Sequence, residues 1–170
     1  MLTQIASLIE ALNSDEEPWQ ISLAVVFAAF VGLMPTMALH SVILIFIVLL
    51  LNINFSVFTI FVALFAIASY VLDPLFNSIG LMLLNNASLE GLWTAMYNTT
   101  FWRLIHFNNS IIMGSFFTSL ILSLPLFFIS QWAVKNYRDH ILARLNGMGL
   151  VKMIKASKVY TLYSKVKGGN

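Results

Sequence analysis

Two long stretches of this chain contain no Asp, Glu, Lys or Arg, and they limit what it can fold into. The first lies between Glu17 and Asp73, and the second lies between Arg103 and Lys135. Each is longer than the roughly 20 apolar residues that cross a hydrocarbon layer about 30 Å thick. Only 9% of all residues are charged, against about 25% in a typical soluble domain. The sequence therefore predicts an all-α, polytopic integral membrane protein with about four transmembrane segments.

The first charge-free stretch is interrupted by Gly32 and Pro35, which divide residues 15–51 into two apolar segments. As helices these segments are about 23 to 25 Å long, which is short for a membrane span. Two arrangements are therefore open: two tightly joined short spans, or the two arms of a re-entrant hairpin. Ser14 and Glu17 form a capping box, which predicts that the first helix begins between them.

Asn52 and Asn54 mark the turn that ends this stretch. The next apolar span, over 55–84, is broken at Asp73 and Pro74, because proline removes a backbone hydrogen bond and ends or kinks a helix. The segment from Leu75 to Leu84 is then either the second half of a kinked helix or a separate half-helix. An ionisable side chain at the centre of a span costs at least about 2.5 kcal/mol and is a functional hypothesis by default. The alternative, which residue preferences favour, is that the Asp73 carboxylate caps a half-helix starting at Pro74.

Three further helices and a tail complete the pattern. Apolar residues at helical spacing predict an interfacial helix over 1–13 and an outer, aromatic interfacial helix over 88–100. The last transmembrane span is expected over 104–133. Together these segments form a helical membrane domain over 1–146, followed by a basic cytoplasmic tail over 147–170.

Positive charge is concentrated after the last span. Because Lys and Arg near span ends stay on the cytoplasmic side, both termini are expected in the cytoplasm. Lys152, Lys155 and Lys158 share one side of the tail and are candidate contacts for anionic lipid headgroups. A solvated tail or a segment that docks on a partner protein is the alternative. Arg103 is a candidate headgroup contact at the outer surface, where snorkelling at the interface is the commoner explanation.

No catalytic motif is present: there is no glycine-rich phosphate loop, no G-x-S-x-G and no H-E-x-x-H. His40, His106 and His140 are far apart in the sequence and show no metal-ligand spacing. His40 follows the first break, where a proton-responsive role and a structural hydrogen bond to a neighbouring helix are both open. We therefore expect no enzymatic activity, catalytic residue, metal, cofactor or nucleic-acid partner.

Residues 22–84 resemble a bacterial family of small inner-membrane proteins, the domain of unknown function 2062 family. The matching motifs are FAAFVGLMPT with Gly32 and Pro35, LNIN with Asn52 and Asn54, and DPLFNSIG with Pro74 and Gly80. Asp73 stands where the family more often has Asn. The resemblance implies a bacterial cytoplasmic-membrane protein, with relatives sometimes joined to envelope-glycan enzymes, and it supplies no settled activity.

The broken helices, interfacial helices and basic tail together favour a multi-pass inner-membrane protein that assists transport or handling of a lipid or lipid-linked envelope precursor. The expected partners are membrane lipids. The rival hypothesis is a structural membrane subunit that anchors a larger envelope protein. An intramembrane cavity lined by His40 and Asp73 would favour transport, whereas a closed bundle would favour the anchor.

Overall fold

The computed structural model describes residues 17–35, 39–51 and 53–142, with side chains through Asp139. Within these residues every regular element is helical. The elements are α1 (Pro18–Leu33), α2 (Leu39–Leu50), α3 (Phe55–Leu84), a 3-10 turn (Ala87–Leu89), α4 (Glu90–Tyr97), α5 (Thr100–Leu104), α6 (Ser110–Asn136) and a π-helical segment (Tyr137–Leu142). The predicted helix over 1–13 and the basic tail over 147–170 lie outside the described residues.

The centre of the molecule is a bundle of α1, α3 and α6, each of which packs against the other two. Gly80 near the end of α3 lies against Ser110 at the start of α6, whereas Val57 near the start of α3 shares a buried cluster with Val134 near the end of α6. α3 and α6 are therefore antiparallel. α1 is apolar on all sides and lies against both, as expected for a fully enclosed helix.

α1 and α2 form a hairpin. The first helix ends at Leu33, directly after Gly32, and the second begins at Leu39, so the predicted interruption at Gly32 and Pro35 is present. Val48, near the end of α2, lies in the same buried cluster as Ile21, near the start of α1. The two arms are 16 and 12 residues long, which corresponds to about 24 and 18 Å.

The start of α1 differs from its prediction. The helix begins at Pro18, with Glu17 as the N-cap, and the capping box pairs Glu17 with Gln20. Ser14 lies outside the described residues. Pro18 at the first helical position fits because it has no N–H to leave unpaired and its φ is already helical.

Of the two alternatives at Asp73 and Pro74, the separate half-helix is wrong: α3 continues through both residues as a single helix of 30 residues. Proline removes one intrahelical hydrogen bond and its ring crowds the carbonyl four residues earlier, but its φ is helical, and packing by neighbouring helices can hold it inside a helix. Here Phe76 and Gly80, within two turns after the proline, are buried against the bundle. Asp73 is therefore not the N-cap of a half-helix.

The segment between α3 and α6 also differs from its prediction. The expected outer helix over 88–100 is divided into a 3-10 turn and the short helices α4 and α5. The last long helix begins at Ser110 rather than at Leu104, because His106 adopts a left-handed φ of 59°. This conformation ends α5, and Asn109 then caps α6 by accepting hydrogen bonds from the Ile111 and Ile112 amides.

Two helices among the described residues, Phe55–Leu84 and Ser110–Asp139, are long and apolar enough to cross a membrane. Most of the apolar surface of each faces outward rather than into the bundle. Exposed examples are Ile67, Val71, Ile121 and Leu124. An exposed apolar surface of this extent is typical of contact with lipid or with another protein, so the fold favours a membrane protein.

Candidate functional site

A groove of about 490 Å³ opens at the distal end of the bundle, which we define as residues 81–110, where α3 ends and α6 begins. Its volume falls in the range of roughly 300 to 1,000 Å³ that is typical of small-molecule sites. The lining residues are Leu81, Leu84, Asn85, Glu90, Trp93, Thr94, Tyr97, Asn98, Phe107, Asn108 and Ser110. Its lining comes from the end of α3, from α4 and from the turn before α6.

The aromatic part of the groove is held in place by α3. The Trp93 indole Nε1–H donates a hydrogen bond of 3.1 Å to the Leu83 carbonyl, one of the carbonyls that a helix end leaves without an intrahelical partner. The Trp93 and Phe107 rings lie 6.2 Å apart, and Phe107 is buried. This hydrogen bond and ring contact fix α4 and the turn before α6 against the end of α3.

The polar part of the groove consists mainly of uncharged amides. Asparagines at the helix ends of this chain divide into two groups. Asn54, Asn86 and Asn109 accept hydrogen bonds from backbone amides and so act as caps. Asn85, Asn98 and Asn108 line the groove, and their side chains form no hydrogen bond with the described residues. These three amides are therefore available to a ligand.

The groove has a single acidic residue. Among the described residues that line it, Glu90 in the first turn of α4 is the only Asp or Glu, and none is Lys, Arg or His. Arg103, the predicted headgroup contact, is exposed on α5 and donates a hydrogen bond of 3.3 Å to the Thr100 hydroxyl. It does not line the groove.

A second polar feature lies at the start of α2, on the side of the hairpin nearest the distal end. His40 and Ser41 are more than nine-tenths buried, and neither the imidazole nitrogens nor the hydroxyl has a hydrogen-bond partner among the described residues. The His40 ring lies beside the Ile105 carbonyl and near His106. The fold thus brings together two histidines that are distant in the sequence.

The remaining predicted residues have separate positions. Gly32 is buried where α1 meets α3, and Pro35 is exposed just beyond it. Asn54 caps α3 through the Val57 amide. Asn52, Lys152, Lys155 and Lys158 lie outside the described residues.

The predicted helix-break residues do not form a site together. Asp73 is partly exposed in the middle of α3 and forms no hydrogen bond or ion pair with the described residues. Gly80 is buried against α6. Neither His40 nor Asp73 lines the groove, so among the described residues this groove is not the cavity expected to distinguish transport from anchoring. No set of three potential metal ligands is found within the described ranges.

Only part of the groove was predicted from the sequence. Trp93 and Tyr97 belong to the outer helix that was predicted to be aromatic, but the amides and Glu90 were not singled out. The available signal was the pairs Asn85-Asn86 and Asn108-Asn109, each next to a long apolar helix. The side chain of one member of each pair caps a helix or 3-10 turn, which leaves the side chain of the other free at the same end of the bundle.

Comparison with known proteins identifies a family without naming an activity. The family described as an uncharacterized protein conserved in bacteria (DUF2062) matches residues 5–142. No curated protein and no solved structure matches the chain. Since the family match covers most of the sequence, this chain belongs to the DUF2062 family of bacterial proteins.

Proposed function

We propose that this chain is a multi-pass protein of the bacterial cytoplasmic membrane that binds a lipid or lipid-linked envelope precursor and assists its handling or transport. The observation that carries the proposal is the groove at the distal end. It joins an apolar flank on α3, which includes Leu81 and Leu84, to free amides on α4 and the following turn. An amphiphile needs a site of this composition, with its chain on the apolar flank and its head on the polar residues.

In this proposal α3 and α6 cross the bilayer and the distal end lies at the outer surface. α3 is about 45 Å long, which exceeds the roughly 30 Å of a hydrocarbon core, so its last turns extend into the headgroup region. The aromatic side chains of α4 suit that depth, because Trp and Tyr are enriched at membrane interfaces. The α1–α2 hairpin enters from the cytoplasmic side as either two short spans or a re-entrant element.

The orientation follows from charge. Lys135 and Arg138 follow the last span, and cationic residues at span ends favour the cytoplasmic side. Both termini are then cytoplasmic. Reporter tags fused after Asn170 and inserted at Gly91 should report opposite sides of the membrane, and a cytoplasmic tag at Gly91 would contradict this topology.

Lipid binding can be tested by purifying the chain in native lipid nanodiscs and identifying the bound lipids by mass spectrometry. Thr94→Trp fills the groove with a large ring, whereas Ala95→Trp adds the same ring at an exposed neighbour outside the lining. We expect a lipid that is enriched with the wild type and with Ala95→Trp but lost with Thr94→Trp. Equal lipid content in all three proteins would refute the proposal.

The second candidate is a structural membrane subunit that anchors a larger envelope partner. The outer face of α2 supports it, because Val42, Phe46, Leu49 and Leu50 are all more than 60% exposed. Lipid or a partner protein would cover this face equally well. Stoichiometric co-purification of one envelope protein that is lost when Phe46 and Leu49 are replaced by Ser, with no lipid specific to the groove, would favour the anchor.

A further inference from the structure

We infer that the polar part of the distal groove recognises an uncharged, hydroxyl-rich head group, such as one or a few sugar rings, rather than a phosphate. This inference rests on the proposed function, since it names the class of head group that the lipid carries. It is drawn from three properties of the lining: its charge, its free hydrogen-bonding groups and its aromatic faces.

Charge disfavours a phosphate. Glu90 is the only Asp, Glu, Lys, Arg or His in the described lining, and a phosphate brought close to a carboxylate would be repelled. Sites that bind phosphate use Arg, Lys or unpaired backbone amides at a helix start. The nearest basic side chain on α5, Arg103, is outside the groove and bonds to Thr100. The groove therefore lacks the cations that a phosphate site needs.

Hydrogen-bonding capacity favours hydroxyl groups. A sugar hydroxyl both donates and accepts hydrogen bonds, so its site needs donors and acceptors together. The free amides of Asn85, Asn98 and Asn108 each offer both, and the Glu90 carboxylate adds a strong acceptor. The Ser110 hydroxyl is already committed, because it donates to Asn77 Oδ1. The amides are thus the main recognition groups.

The aromatic residues provide the remaining surface of such a site. One face of a sugar ring presents mainly C–H groups, which pack well on the electron-rich face of an aromatic ring. Tyr97 is 53% exposed in the groove, and Trp93 is fixed there by its hydrogen bond to Leu83. Rigid rings lose little conformational entropy on binding, so they can support a head group that is held by neutral hydrogen bonds.

The test uses nanodiscs of phosphatidylethanolamine with one added lipid: glucosyl-diacylglycerol, diacylglycerol or phosphatidic acid, all with the same acyl chains. Native mass spectrometry measures the occupancy of each. We expect the glucosyl lipid to bind at least about tenfold more tightly than either of the other two, which corresponds to about 1.4 kcal/mol. Equal binding, or preference for phosphatidic acid, would overturn this inference while the proposed lipid handling could still hold.

Two variants locate the recognition. The double variant that carries both Asn98→Ala and Asn108→Ala should lose most of the preference for the glucosyl lipid, and its binding of diacylglycerol should be unchanged. Asn136→Ala, an exposed asparagine at the opposite end of α6, is the matched control and should change neither. Asn98→Lys should shift the preference toward phosphatidic acid by adding a cation. An unchanged preference in the double variant would overturn the assignment of the amides.

A final arm separates the sources of the sugar. Free methyl glucoside and a soluble disaccharide are added at millimolar concentration to discs that contain no glucosyl lipid. Much weaker binding of the free sugars supports a lipid-borne head group. Free sugars that bind as tightly as the glucosyl lipid would keep sugar recognition but contradict the proposed lipid handling, so the two failures are distinguishable.

Discussion

Gly114 of α6 lies directly against the backbone of Phe76 in α3. A Cβ atom added at Gly114 would overlap the carbonyl oxygen of Phe76 and would lie 2.6 Å from the carbonyl carbon of Phe76. One turn further along α3, Gly80 makes the reciprocal contact with the backbone of Ser110. Close approach through small residues is the main way in which helices associate in membranes, where apolar burial gives little driving force. This crossing brings the end of α3 to the start of α6 and so forms the wall of the groove.

Replacing Gly114 by Ala should destabilise the protein by about 3 kcal/mol, because the new methyl group meets rigid backbone rather than a flexible side chain. Gly91→Ala is the matched control, since a Cβ there has no neighbour within 4 Å, and alanine should gain up to about 1 kcal/mol in helix propensity. Thermal unfolding in nanodiscs followed by circular dichroism measures both. A Gly114→Ala midpoint equal to that of Gly91→Ala would contradict the crossing.

The predicted all-helical fold and the break at Gly32 and Pro35 were correct within the described residues, whereas a separate half-helix after Asp73 and Pro74 was not. Both breaks were predicted because each segment contains a proline. In the first case α1 ends at Leu33 before the proline, whereas in the second Phe76 and Gly80 pack on the bundle soon after it. A helix with a missing hydrogen bond survives when tertiary packing compensates, and such packing cannot be read from local sequence.

Asn54→Ala should lower stability by about 1 kcal/mol, because the Asn54 side chain caps α3 at a distance of 2.9 Å from the Val57 amide nitrogen. Asn54→Ser should retain most of the stability, since serine caps helices about as well. Thermal midpoints of the two variants in the same nanodiscs give the comparison. Equal losses for Ala and Ser would show that the cap is not what stabilises this turn.

Asp73→Ala should leave the thermal midpoint unchanged or raise it. Asp73 lies inside α3 and caps nothing, alanine is the better helix former, and the change removes a carboxylate from an apolar helix. The contrast with Asn54→Ala is the test, because loss of a true cap costs about 1 kcal/mol. A comparable loss at Asp73 would restore the half-helix that the sequence suggested.

Trp93→Phe should loosen α4 from the end of α3. The substitution keeps an aromatic ring but removes the indole N–H that bonds to the Leu83 carbonyl, at a cost of about 1 kcal/mol. Hydrogen exchange should accelerate in residues 90–97 with little change in α6. Trp102→Phe is the control, since Trp102 is partly exposed and makes only a ring contact with Phe101. Equal protection of α4 in both variants would contradict the role given to Trp93.

The groove was harder to predict than the helices because it depends on how the chain folds back. Its amides come from the end of α3, the end of α4 and the turn before α6. These three positions are not adjacent in the sequence. Asparagine next to a long apolar segment reads as a cap or turn residue. The Asn86 and Asn109 side chains are indeed caps. Only the three-dimensional structure shows that the Asn85 and Asn108 side chains are not used in this way, although Asn85 is the C-cap residue of α3 through its backbone.

Replacing either of the two neighbouring histidines, His40 and His106, by leucine is expected to change the free energy of unfolding in opposite directions. His40 is buried, and its imidazole nitrogens have no hydrogen-bond partner among the described residues. A buried polar group left in this way costs about 1 to 3 kcal/mol, so His40→Leu should raise the free energy of unfolding by about 1 kcal/mol. His106 is exposed with a positive φ, so His106→Leu should lower it by about 1 kcal/mol, whereas His106→Gly should be tolerated. Chemical denaturation in matched detergent micelles measures all three. A loss of stability in His40→Leu would show that the imidazole is hydrogen-bonded in the membrane and that its polar side chain stabilises the hairpin.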